Sequence, residues 1–171
     1  MDASHDKSFL KLTSNLDELT KNYRLLLDLL RREKELLIGA DIEKLNQCNH
    51  EKENLLYKIR TLDSARERYA KELAQLIGAD VANPRLLELS KKVSSKEGDR
   101  LRTIHATLEI LIKRVTELNK ENEQYASSAL SVLNGAMDNI KETLVGKKTY
   151  AREGKMSYGP QKAGNFVRKE I

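Results

Sequence analysis

The residues with chemistry to offer are few and scattered. Cys48 and His50 stand two apart in LNQCNHEKEN, where a thiolate and an imidazole could share a metal only by pointing the same way. On a helix they point to different faces, and no further ligand follows at a workable spacing. His5 and His105 are isolated, the latter beside the apolar Ile104, and each reads as an ordinary packed or solvated histidine. The sequence contains no phosphate-cradling glycine loop, nucleophile elbow, His-Glu-x-x-His pair or paired-cysteine framework. We therefore expect no enzyme activity, no metal and no cofactor.

A second group of residues suits recognition rather than reaction. The stretch GKKTYAREGKMSYGPQKAG, residues 146–164, mixes glycines, basic residues and two tyrosines with little that could build a core. Residues 1–145 hold 24 Lys+Arg and 24 Asp+Glu, whereas 146–171 hold 7 against 2, so the whole net charge of +5 sits at the C-terminus. Lysines interleaved with Tyr150, Tyr158 and Phe166 could neutralise phosphates and stack on bases. A neutral body with no basic stripe to extend the contact argues against nucleic acid. The glycines and Pro160 spoil an amphipathic membrane helix, so no membrane insertion is expected either. We read 146–171 as a flexible basic tail that grips a protein partner, against the plainer reading of a frayed end.

The elements that would position these residues are helices. Apolar content is 39%, below the roughly 45–50% of a typical globular domain, and charged content is 33%, above the usual quarter. With 5% aromatics, no Trp and two Pro, this composition suits long helices packed through narrow leucine seams. The expected fold is all-α: an elongated antiparallel hairpin or bundle with coiled-coil-like packing, a long C-terminal helix and the tail. The acidic N-terminus MDASHDKSFL lacks the features of a signal peptide, no run approaches a membrane span, and the single Cys48 suits a reducing compartment. A cytoplasmic protein is expected.

Four helices are expected within a bundle spanning 1–145, at about 6–38, 42–77, 84–93 and 95–144. In the first, Phe9, Leu12, Leu16, Leu19, Tyr23, Leu26, Leu30 and Leu37 alternate steps of three and four, interrupted only by Glu33. Gly39 suits a left-handed end and Asp41 a cap for the next helix. Leu37-Ile38-Gly39-Ala40-Asp41 recurs as Leu76-Ile77-Gly78-Ala79-Asp80, which reads as two similar helix-ending turns. Pro84 suits a first helical position, and Ser94 with Glu97 forms a capping box for the last helix. That helix keeps its three-four spacing from Leu101 through Ile104, Leu108, Leu111, Val115, Leu118, Asn122, Tyr125, Ala129 and Val132 to Ala136, long enough to overhang a hairpin partner. Asn122 at a seam position reads as a register-setting polar residue. Near the end the apolar set widens to Leu130, Val132, Leu133, Met137, Ile140 and Leu144, more circumference than one seam requires. A second copy, the folded-back tail or a partner protein could each cover it.

The run LLDLLRREKELLIGADIEKLNQCNHEKENLLYKIRTLDSARER resembles the FlgN family of flagellar export chaperones. The family's Glu-x-x-x-Leu ending of the first helix is followed by an acidic turn and by a Glu-Lys-x-x-Leu-Leu segment. Here that segment is Glu51-Lys52-Glu53-Asn54-Leu55-Leu56, with Arg66 or Arg68 further on. The family's Tyr-Gly-x-x-Gly-like tail motif is approached by Tyr150-Ala151-Arg152-Glu153-Gly154, with Ala151 in place of the first glycine, or by Tyr158-Gly159-Pro160. The resemblance covers most of residues 20–155. It implies a cytoplasmic chaperone, without ATP hydrolysis, that holds the C-terminal helical segments of the hook-filament junction proteins FlgK and FlgL and delivers them to the type III export gate. It also implies that the C-terminal part binds the substrate, which places Val132, Leu133, Met137, Ile140 and Leu144 at that contact. The resemblance further implies that a tail tyrosine docks on the gate protein FlhA, which would implicate Tyr150, Gly154 and Tyr158. The rival reading is a scaffolding coiled coil whose seams bind only copies of itself, as a homodimer or larger assembly.

Overall fold

The computed structural model describes residues 3–145, which form helices and no strands: α1 (Ala3–Ile38), α2 (Ile42–Ile77), α3 (Leu86–Lys92) and α4 (Ser95–Val145). The fold is all-α, as the seam spacing implies. Ion pairs report the helix directions. Along α1 the partners on α2 run backwards, from Lys11 with Glu72 (3.6 Å) through Glu18 with Lys58 (2.9 Å) to Arg32 with Glu51, so the two helices are antiparallel. Partners on α4 run forwards, Asp17 with Arg100 (2.9 Å) and Lys34 with Glu121 (2.8 Å), so α4 lies parallel to α1. These pairs are exposed and each contributes little stability. The hold comes from one core: Leu12, Leu16 and Leu30 of α1, Leu73 of α2, Leu89 of α3 and Leu101 of α4 are fully buried within it. Each such leucine contributes about 1.5–3 kcal/mol on leaving water.

Two threonines on the buried face of α1 are satisfied by their own helix, whereas the Ser8 hydroxyl and the amide oxygens of Asn15 and Asn22 have no hydrogen-bond partner among the described residues. Thr13 donates its hydroxyl to the Phe9 carbonyl (3.0 Å) and Thr20 to that of Leu16 (2.8 Å), so neither needs a partner across the interface. Glu33 and Asn122 differ. Glu33, the interruption in the α1 seam, is buried; one carboxylate oxygen receives the Lys52 ammonium of α2 and the other receives the Asn122 amide of α4 at 2.9 Å. The same amide nitrogen donates to the Leu30 carbonyl at 2.9 Å. The two polar breaks in two separate seams thus answer each other, and all three long helices are tied at one level. The packed unit ends at Ala126, four positions beyond.

The turns depart in detail from the sequence reading. Between α1 and α2 the left-handed residue is Ala40 (φ 52°), not Gly39. Ala40 N–H donates to the Leu37 carbonyl (3.3 Å) and Asp41 N–H to that of Leu36 (3.2 Å), a Schellman closure that puts the left-handed position one residue later. Asp41 must accept from Lys44 N–H (3.1 Å) to cap α2 immediately afterwards, so the reversal is completed within three residues. The sister turn has eight residues before α3 and uses its glycine: Gly78 takes φ 65°. The third helix starts at Leu86 rather than at Pro84, because Asp80 holds Ala82 N–H (2.9 Å) in a side-chain turn and Arg85, extended, is the cap. The Ser94 and Glu97 capping box forms, with the Ser94 hydroxyl 2.7 Å from the Glu97 carboxylate. Gly98 is buried against α3 so closely that a Cβ would lie 2.4 Å from the Ser90 carbonyl oxygen.

Two sets of variants test this account. Ala40→Gly should raise stability, by up to about 1 kcal/mol, by relieving a left-handed alanine, while Gly78→Ala should lower it by about 1 kcal/mol although nothing crowds the new methyl. Asn122→Ala should lower it by about 1–3 kcal/mol by depriving Glu33 of its amide, and the Glu33→Leu/Asn122→Leu double variant should cost less than the two single changes added. Urea unfolding of each variant reads all of these; additive costs at Glu33 and Asn122 would show that the pair is not coupled.

Candidate functional site

Beyond Asn122 the character of α4 changes. Every residue from Glu123 to Leu144 is exposed. Among them Leu130, Val132, Leu133, Met137, Ile140 and Leu144 are between 48% and 81% exposed, a density of free apolar side chains that soluble helices do not ordinarily present. The flanks are also unusual. No charged residue stands between Glu123 and Asp138, in a chain of which 33% is charged. A solvated helix of this protein carries charge; this segment is written like one that meets another surface.

At 3.6 residues per turn, Leu133, Ile140 and Leu144 fall on one stripe, with Leu130 and Met137 along one edge and Val132 with Tyr125 along the other. The five residues read from the sequence as substrate-binding are therefore one continuous face of one helix, with Val132 at its margin. Tyr125, within the packed unit, is 43% exposed; the missing charges after it were a signal that apolar spacing alone does not register. The arrangement can bury apolar surface and can do no covalent chemistry.

The other singled-out residues lie elsewhere. Cys48 is buried with its thiol 3.7 Å from the Leu29 carbonyl, while His50 is exposed with its imidazole 3.6 Å from Glu53, so they face apart. His105 is half-buried, 3.9 Å from Glu109. His5 does gather partners that spacing could not show: its imidazole lies 3.4 Å from Asp6 and 3.8 Å from Glu97, a donor set close enough for a cation. Glu97, however, is already engaged by the Ser94 hydroxyl and backbone N–H as the cap of α4. The described residues form several open grooves, two of which are large. One of about 720 Å³ is floored by Leu19 and Tyr23 and rimmed by Arg66, Glu88, Glu109 and Lys113; burial, then Asp63, pushes the Tyr23 phenol up. The other, about 690 Å³, lies between α1 and α2 around Leu25, Leu29 and Leu55. Both rims mix charges of both signs, so neither selects an ionic ligand. Tyr150, Gly154 and Tyr158 lie outside the described residues.

The described residues are all-α and leave an apolar face of α4 uncovered. The family model described as FlgN protein matches residues 1–158, and the chain belongs to the FlgN family of flagellar export chaperones. The match reaches over the positions of Tyr150, Gly154 and Tyr158. No curated protein and no solved structure matches the chain. No helix among the described residues is long and apolar enough to cross a membrane.

Because no described residue covers this face, Met137→Ser and Leu133→Ser should each change folding stability by less than about 0.5 kcal/mol. Both should lower binding of an apolar fluorescent dye; a Tm loss of several degrees would mean that the face is covered in the free protein.

Proposed function

We propose that this chaperone works in the cytoplasm, holding the C-terminal helices of the hook-filament junction proteins FlgK and FlgL and delivering them to the type III export gate. The observation that carries the reading is the exposed apolar face of α4 from Leu130 to Leu144, uncharged as far as Met137, in a chain of this family. Val132, Leu133, Met137, Ile140 and Leu144 form the cargo contact. An amphipathic cargo helix lays its apolar side on this face, which is helix-in-groove recognition. Several hundred Å² of apolar surface at about 25 cal/mol/Å² supplies several kcal/mol, enough for affinity after ordering costs. The same burial keeps the cargo's own apolar face from aggregating or assembling early.

Residues 146–171 act at the next step. Their excess positive charge steers the chain toward an acidic surface on FlhA, and Tyr150 anchors there with Gly154 and Tyr158 beside it. Calorimetric titration with C-terminal fragments of FlgK and FlgL from the same organism tests the first part. One-to-one binding at micromolar affinity or tighter, with a negative heat-capacity change, is expected. Tyr150→Ala should leave cargo affinity within about twofold while weakening capture by the soluble domain of FlhA about tenfold. Absence of cargo binding, with a stable homodimer by light scattering, would favour the self-associating scaffold instead.

A further inference from the structure

The first turns of α1 and α4 bring three metal-ligating side chains together: the His5 imidazole and the Asp6 carboxylate from α1 and the Glu97 carboxylate from α4. One donor atom of each lies within 4.8 Å of the others. Spacing along the chain could not show the set, because Glu97 arrives from another helix. His50 with Glu53 and His105 with Glu109 are the other histidine–carboxylate pairs among the described residues, and each offers only two donors from a single helix.

The distances suit ligands better than direct partners. His5 Nδ1 lies 3.4 Å from Asp6 Oδ1 and 3.8 Å from Glu97 Oε1. A good N–H···O bond is about 2.7–3.2 Å long, so the imidazole makes no close bond to either carboxylate. Donors that share one zinc ion, each about 2.1 Å from it at the corners of a tetrahedron, lie about 3.4 Å apart.

Two of the three ligands are also held in place by groups behind them. Glu97 gives only one oxygen to the cap of α4: Oε2 accepts from the Ser94 hydroxyl at 2.7 Å and from the Ser94 N–H at 3.2 Å, which leaves Oε1 turned to His5. A hydrogen bond to the second oxygen is what orients a ligating carboxylate. The His5 ring lies parallel to that of the core residue Phe9, with 9° between the planes. Both side chains are largely shielded, 18% exposed for His5 and 16% for Glu97, whereas Asp6 at 60% is the solvent-side member.

We propose that His5, Asp6 and Glu97 bind a divalent transition-metal ion, zinc by preference, which ties the start of α1 to the start of α4. One imidazole with two carboxylates suits zinc, whereas calcium takes about six to eight oxygens and magnesium an octahedron made largely of oxygens and water. Two carboxylates also balance the charge of a divalent ion, which the partial positive charge of two helix N-termini would otherwise repel. Three protein donors leave a fourth position to water. None of these residues belongs to the proposed cargo contact, so cargo binding and metal binding can fail separately.

Calorimetric titration of the full chain with zinc chloride, beside His5→Gln, Asp6→Asn and Cys48→Ser, provides the test, with circular dichroism to confirm that each variant keeps its helix content. One zinc per chain at micromolar affinity is expected, weakened about tenfold or more by His5→Gln and by Asp6→Asn and unchanged by Cys48→Ser. Zinc at about ten times its dissociation constant should raise the Tm of the unaltered chain by about 4 °C and leave that of His5→Gln where it was. Magnesium chloride should do neither. No saturable binding below about 1 mM zinc would overturn the site. So would zinc that binds His5→Gln as tightly as the unaltered chain, or binding that disappears in Cys48→Ser alone, since the ion would then sit on other residues.

Discussion

A carboxylate taken out of water needs a cation and its remaining hydrogen bonds, and Glu33 obtains both in one arrangement of three helices only. Lys52 supplies the charge from α2 and Asn122 the amide from α4. Sliding α4 by one turn would leave Glu33 short of a donor and place the Asn122 amide against leucines, a misfit worth several kcal/mol in a fold of modest stability. Leucine seams alone tolerate such slips, because one leucine resembles the next; the polar contact does not. Such a buried pair contributes more to register than to net stability, since desolvation offsets much of its attraction.

The contact also divides α4 by use. Up to Asn122 its apolar face is covered by the hairpin, and from Glu123 onward every residue to Leu144 is exposed. The same three-four spacing serves folding in one part and recognition in the other. A surface carried on a helix is presented with less ordering cost than a loop would incur.

Much of this was legible in the sequence. The all-α class, the antiparallel first pair, the Ser94 and Glu97 capping box and the apolar run from Leu130 to Leu144 follow from spacing and capping chemistry. Glu33 and Asn122 could each be read as an interruption, but not as partners, since 89 positions separate them and seam spacing carries no information on which breaks meet. Gly98 carries no signal in the sequence because its reason, the Ser90 carbonyl beneath it, is a tertiary contact. The left-handed residue after α1 was expected at Gly39 and is Ala40, because the closing hydrogen bonds run from Ala40 and Asp41 back to Leu37 and Leu36. His5 looked isolated until α4 brought Glu97 beside it. The tail positions Tyr150, Gly154 and Tyr158 rest on sequence and family resemblance.

Hydrogen exchange on the full chain, with and without the C-terminal fragment of FlgK, would test most directly that α4 has one part for folding and one for binding. The account predicts that in the free protein the amides of residues 101–122 exchange far more slowly than those of 127–145, and that the fragment slows the second set while leaving the first unchanged. Equal protection of both sets in the free protein, or slowing confined to the groove around Leu19 and Tyr23, would contradict it.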